Sequence, residues 1–311
     1  MLAKNSILET IHETPLLKLD QRLVPADAAN IYAKLEYFNP CGSVKDRICL
    51  AMVEGAVAKG LLKVDDPQNP PTVVEATSGN TGLGLAMVCA AKKYRLIIVM
   101  PENYSVERRY LLKRLGAELV LTPAKEEMAG ALKKARELVK KTPNSFLPNQ
   151  FSNPDNPQSH SEHTAQEILQ DMTEVEIHAF VAGIGTAGTF TGVGHVLKKK
   201  YPKIKLIAVE PAEAAVLSGG KPQVHGIQGI GAGFIPENLD RSLVASVITV
   251  TDQEAYNSVR VLASKVGVLV GVSSGANYWA SLKIAKELGP DKNVVTVFPD
   301  KGERYFSVER S

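Results

Sequence analysis

Short β-branched runs and amphipathic stretches of helical length succeed one another along nearly all of this 311-residue chain. That alternation restricts the fold more than any other feature. The strand-like runs are "IYAKLE" (31–36), "TVVEA" (72–76), "RLIIVM" (95–100), "AELVLT" (117–122), "HAFVA" (178–182), "KLIAVE" (205–210), "ASVITV" (245–250) and "NVVTVF" (293–298). Helical spacing fills 80–93, 105–115, 126–141, 188–200 and 252–266. Strands with so little polar alternation need cover on both faces, which a parallel α/β sheet provides. The Asn-, Pro- and Ser-rich stretch "NQFSNPDNPQS" (149–159) is the best boundary between two such layered units.

Charge and cysteine usage narrow the function classes. Thirty-six Lys and Arg stand against 33 Asp and Glu, a formal net charge of +3, too even a balance to argue for a nucleic-acid partner. The run Lys198–Lys200 reads as a solvated helix end. Cys41, Cys49 and Cys89 lack ligand spacing, so neither a disulfide framework nor a metal site is expected. The first residues, "MLAKNSILETIHETPLL", hold no long apolar run, so no membrane span or signal segment is expected and a cytoplasmic location is the simplest reading.

Two loops match familiar motifs. Gly183, Gly185 and Gly188 follow a strand and open a helix, formally G-x-G-x-x-G, and Glu210 ends the next strand. That is a dinucleotide fingerprint, and a nicotinamide-binding oxidoreductase is the rival class it suggests. The loop itself promises less: close backbone approach, free N–H groups and the hydroxyls of Thr186 and Thr189, which suit a single phosphate monoester equally well. The second motif, Gly271-Val-Ser273-Ser-Gly275, matches a nucleophile elbow. A hydrolase would need its histidine after the serine, and His225, the last histidine, precedes Ser273.

Two further stretches carry chemistry. Thr77, Ser78, Asn80 and Thr81, with Gly79 between them, crowd a strand-to-helix turn. Capping needs only one such residue, and the excess suits a bound carboxylate. In "NPCGSVKDRI", Ser43 and Asp46 have capping-box spacing, which puts Lys45 in a helical first turn. A cation there is disfavoured by roughly 0.3–1 kcal/mol, a bias toward the neutral amine. An amine nucleophile, a phosphate loop, a carboxylate loop and a serine at another strand end together fit pyridoxal 5'-phosphate acting on an amino acid.

The motifs "ETPLLKL", "NPCGSVKDR", "EATSGNTG", "MPENYSVERR", "NQFSNPDNP", "GIGTAGTFTGV", "GIQGIGAGFIPENLD" and "GVSSGAN" span nearly the whole chain. On them the chain resembles the cysteine synthases (O-acetylserine sulfhydrylases) among the fold-type II pyridoxal-phosphate enzymes. The resemblance implies a tryptophan synthase β-like fold of two three-layer α/β domains with mostly parallel sheets. One domain would span 36–150, and the other 1–35 with 151–311. It implies Lys45 as Schiff-base lysine and proton-transferring base. Thr77, Ser78, Gly79, Asn80, Thr81 and Gln150 would grip the substrate carboxylate, with Asn80 also facing the cofactor. Gly185, Thr186, Ala187, Gly188 and Thr189 would cradle the phosphate, Ser273 would meet the ring nitrogen, and Gly229 would lie beside the substrate. The implied reaction joins O-acetyl-L-serine and sulfide, through an α-aminoacrylate, into L-cysteine and acetate. Serine, O-phosphoserine or cysteine as substrate would share that chemistry. The family also implies a homodimer and, as partner, the C-terminal tail of serine acetyltransferase. Ala187 stands where the family usually has glycine, and Ala76 where proline is more usual.

Overall fold

The computed structural model describes residues 3–77, 79–103 and 106–305. The elements are β1 (Leu16–Lys18), β2 (Asn30–Leu35), α1 (Lys45–Ala58), β3 (Thr72–Ala76), α2 (Asn80–Lys92), β4 (Arg95–Pro101), α3 (Val106–Arg114), β5 (Glu118–Thr122), α4 (Glu127–Lys141) and β6 (Ser145–Phe146). They continue with α5 (Asp155–Ser159), α6 (Ala165–Asp171), β7 (Ala179–Gly183), α7 (Gly188–Lys200), β8 (Lys205–Pro211), β9 (Ser246–Val250), α8 (Asp252–Val266), α9 (Val272–Leu288) and β10 (Asn293–Phe298). A π-turn, His160–Thr164, joins α5 to α6.

The chain divides into two compact units. The first holds residues up to Ile11 together with Lys45–Asp155, and the second holds His12–Val44 and Asn156–Ser311. The boundaries therefore fall at 11/12, 44/45 and 155/156 rather than 35/36 and 150/151, and residues up to Ile11, expected in the C-terminal domain, belong to the first unit. Val44 N–H donates to the Pro299 carbonyl at 2.8 Å, and Ser43 forms an antiparallel bridge with Asp300, so residues 36–44 stay with the end of β10. Asp155 is tied to Lys59 just past α1 at 2.5 and 2.7 Å, which keeps 151–155 with the first unit. The 3₁₀ turn at Ile7–Thr10 lies against α2.

In the first unit four parallel strands run in the order β5-β4-β3-β6. Strand residues alternate between faces. Val74, Ala76, Ile97 and Val99 meet Ala131 and Ala135 of α4 on one face. On the other, Glu75 sits close enough for its charge to act on Cys49 of α1, and α1 packs along α2. Every residue of β3 is buried, as a central parallel strand requires.

The second unit has six strands, β1-β2-β10-β7-β8-β9, with only the β1–β2 pair antiparallel. Side chains such as Val181, Val209 and Val294 pack with α8 and α9 on one face. Phe180, Ala208 and Val295 pack with α6 and α7 on the other. Both units are three-layered and mostly parallel. Among the described residues no helix is long and apolar enough to cross a membrane, and no cluster of His, Cys, Asp and Glu could hold a metal ion.

Candidate active site

In the first unit the chemistry gathers at the C-terminal end of β3 and the N-termini of α1 and α2. Lys45 is the first residue of α1, one position later than a Ser43 cap would put it. Its carbonyl lies near Gly84 of α2, where an added Cβ would stand only 3.4 Å from it. The same Cβ would come within 2.8 Å of Cys49 Sγ, so Gly84 lets α1 and α2 approach closely.

Gly79, which has no side chain to cap with, is the N-cap residue of α2. Thr77 Oγ1 instead accepts the Gly79 N–H at 3.3 Å, an internal brace. Thr81 Oγ1 donates to Gln150 Oε1 at 2.6 Å across 69 residues of sequence, and both side chains are buried. Thr81 thus acts first by orienting Gln150, whose side chain is held at the first turn of α2. A helix N-terminus with an adjacent amide suits a carboxylate. Asn80 opens α2 beside it, and Ser78 lies outside the described residues.

The second unit carries the phosphate-type loop between β7 and α7. No partner for the N–H groups of Gly185, Thr186 and Ala187 is found among the described residues. The glycines have no room for a side chain: a Cβ on Gly185 would sit 2.3 Å from the Gly229 carbonyl, and one on Gly188 1.8 Å from Asn156 Oδ1. Asn156 Nδ2 donates to Thr186 Oγ1 at 3.0 Å. One ring nitrogen of buried His160 lies 3.2 Å from Thr189 Oγ1, the other 2.9 Å from Thr164 Oγ1. Three successive unpaired N–H groups at a helix N-terminus, flanked by held hydroxyls, fit the phosphate monoester of pyridoxal phosphate. Asn156 and His160 are absent from the sequence reading, because they reach the loop from 30 and 29 residues upstream with no motif spacing to betray them.

Ala187, the N-cap of α7, adopts φ 63° and ψ −3°, in the left-handed region. A Cβ there costs roughly 1–2 kcal/mol, against 0.4–1 kcal/mol regained from a stiffer unfolded chain. Ala187→Gly is therefore expected to stabilise the protein by about 0.5–1 kcal/mol, seen as a higher thermal midpoint.

Neither look-alike motif keeps its first meaning. Glu210 accepts the backbone N–H groups of Leu217 and Ser218 at 2.7 and 2.9 Å, so its carboxylate holds the following turn and takes no ribose. Gly271, not Ser273, is the N-cap of α9. Ser273 lies in the first turn, buried, and a Cβ on Gly229 would stand 3.6 Å from its Oγ. The structure so brings Ser273 and the Gly229 loop (φ 97°) together, and Gly229 in turn lies against Gly185.

Glu75, one residue from the end of β3, is a strongly displaced carboxyl. Burial pushes its carboxyl up to about 8, although the N–H groups of Asn149 and Ala76 pull the other way. A raised folded value means the folded state binds the extra proton. Stability is thus fullest below about 4.5 and is lost as pH climbs through about 8. Between pH 6 and 8 the loss from this group is about 2 kcal/mol. Glu75→Gln should flatten that slope in denaturant titrations at the two pH values.

Comparison with known proteins identifies the family. Residues 7–300 match the family described as pyridoxal-phosphate dependent enzyme. A cysteine synthase of Staphylococcus aureus (strain Mu50) is 52% identical over 303 residues, 97% of this chain and 96% of that one. Among solved structures, a cysteine synthase (OASS) of Entamoeba histolytica superposes with a TM-score of 0.92 at 41% identity, covering 100% of this chain and 93% of that chain. An O-acetylserine dependent cystathionine β-synthase of Helicobacter pylori gives 0.90 at 40% identity, covering 99% of each.

Proposed function

Since this chain belongs to the pyridoxal-phosphate dependent enzyme family, we propose that it is a cysteine-forming β-replacement enzyme, converting O-acetyl-L-serine and sulfide to L-cysteine and acetate. The observation that carries the reading is the first unit's helix-terminal carboxylate loop, with Gln150 locked to Thr81, packed beside the helix that begins with Lys45. A loop of this kind serves a substrate that brings its own carboxylate.

When bound, pyridoxal phosphate supplies a carbonyl for an amine and a ring that takes up an electron pair. The chain's residues do the rest. Lys45 Nζ would be the amine that holds the cofactor and, once free, the base that takes the substrate's α-proton and gives it back. Asn80, Thr81, Gln150 and the Thr77–Gly79 stretch, Ser78 included, fix the carboxylate, so that acetate leaves from Cβ and sulfide adds there. In the second unit Gly185, Thr186, Ala187, Gly188 and Thr189 bind phosphate through backbone N–H groups and hydroxyls. Ser273 would serve as a neutral partner for the ring nitrogen, which suits elimination, and Gly229 would border the substrate.

The protein acts in the cytoplasm, a reading that rests on its cysteine usage and N-terminal residues, and it is a homodimer that accepts the C-terminal tail of serine acetyltransferase, readings that rest on the family resemblance. Turnover of O-acetylserine, O-phosphoserine, serine and cysteine, each with sulfide or homocysteine, tests the assignment. O-acetylserine with sulfide should lead. A clear lead for homocysteine as acceptor would replace cysteine synthesis by cystathionine synthesis.

A further inference from the structure

Glu75 has an unexpected place for a carboxyl: the middle strand of a parallel sheet, 2% exposed. Burying such a group is costly, and a well-packed apolar residue would ordinarily serve the fold better. No cation pairs with it among the described residues. Its oxygens instead go to backbone: Oε2 accepts the Asn149 N–H at 3.0 Å, 74 residues away in sequence, and the Ala76 N–H lies within its reach.

Asn149 is the hub of a tight turn. It has φ 49°, its carbonyl accepts the N–H groups of Ser152 and Asn153 at 3.0 and 3.1 Å, and its Nδ2 donates to Ser152 Oγ at 2.5 Å. The next residue is Gln150, whose Oε1 accepts from Thr81. One chain of hydrogen bonds, all inside the first unit, thus runs from the end of β3 through the 149 turn to the start of α2. Removing the Glu75 acceptor would free the upstream end of the turn and leave a partly buried N–H without its acceptor.

We infer that Glu75 is a positioning residue for the substrate carboxylate: by holding the Asn149 N–H it fixes the turn that directs Gln150. The inference rests on the reading of Gln150 as a carboxylate contact, and it adds to that site a residue that never touches substrate. Its side chain lies one strand position before Ala76 and two before Thr77, so β3 braces both arms of the carboxylate site, one through its backbone and one through Glu75.

The test uses holoenzyme carrying Glu75→Met, Glu75→Gln or Gln150→Ala. Binding of L-serine, and of ethanolamine as serine without its carboxylate, is followed through the cofactor's visible absorbance, with KM and kcat for O-acetylserine alongside. Glu75→Met should weaken serine binding and raise KM roughly tenfold, the worth of one well-made buried hydrogen bond, while ethanolamine binding holds and kcat changes less than KM. Glu75→Gln, which keeps an acceptor oxygen, should restore serine binding to within about twofold. If Gln150→Ala weakens serine binding but Glu75→Met does not, the Glu75 inference is overturned and the carboxylate reading stands. If Gln150→Ala leaves serine binding intact, the carboxylate reading itself fails, and the inference with it. Amide exchange in the unsubstituted holoenzyme keeps the test open should Glu75→Met not fold: a slow Asn149 amide supports the link, and a freely exchanging one overturns it.

Discussion

Lys45→Ala should hold pyridoxal phosphate without a covalent bond and form cysteine at a rate lowered by at least 10²–10⁴-fold, the usual worth of a general base alone. The fold should survive the change. Lys45 is the first residue of α1, where its charge faces the positive helix end, and removing a cation there relieves roughly 0.3–1 kcal/mol. Activity and stability are therefore expected to move independently, which separates a chemical role from a structural one. Lys45→Arg sharpens the contrast, because guanidinium keeps the charge but cannot act as a free amine at any working pH. A structural cation would be rescued by arginine, and a proton-transferring amine would not. Steady-state cysteine formation, read with the cofactor's absorbance, checks both variants. Substantial turnover by either would remove Lys45 from the chemistry.

Gly185→Ala is expected to have the second large effect. The new Cβ would stand 2.3 Å from the Gly229 carbonyl, a backbone atom that cannot rotate away. Either the phosphate loop or the 229 loop must shift, and both carry residues assigned here to cofactor and substrate. We expect destabilisation of roughly 3–5 kcal/mol, in the range that marks serious overpacking or strain, together with loss of cofactor on dialysis. Gly194→Ala on α7 is the control. Its Cβ would meet only leucine methyl groups, at 3.2 and 3.3 Å, which can yield, so cofactor retention should be close to that of the unsubstituted protein. Retention by Gly185→Ala equal to that of Gly194→Ala would show that the loop has more freedom than its geometry implies.

Much of this architecture is legible in the sequence because its strands are pure and its helices periodic. The helical stretches read at 188–200 and 252–266 coincide with α7 and α8. The helix α8 even carries a complete capping box at Thr251 and Glu254. What escaped has physical causes. Strand β6 is two residues long, too short for any period to show. Residues 149–159 read as a boundary because they are rich in Asn, Pro and Ser, yet Asp155–Ser159 forms α5 and runs on into the π-turn and α6, with His160 and Thr164 facing each other inside the turn. Local composition there is overruled by tertiary contacts. The site is legible wherever a loop is contiguous, as at 77–81 and 185–189. Asn156 and His160 act on the 185–189 loop from distant segments and Glu75 reaches across 74 residues to Asn149, and a hydrogen bond across tens of residues leaves no trace in spacing.

The pairing of β2 with β10 bears on how the chain can be made. Asn30 and Asn293, register partners in that pair, also share a side-chain hydrogen bond across 263 residues. At ribosomal speeds of 5–20 residues per second, β2 waits on the order of tens of seconds for its neighbour to be synthesised. Meanwhile its only sheet partner already available is β1, a three-residue strand. The first unit, whose strands lie within residues 72–146, can close long before then. Translation thus separates the two units in time: a self-sufficient body emerges early, and a waiting edge is sealed at the end. That edge is where holding chaperones would have most to protect, and a stop codon before β10 would leave it permanently open.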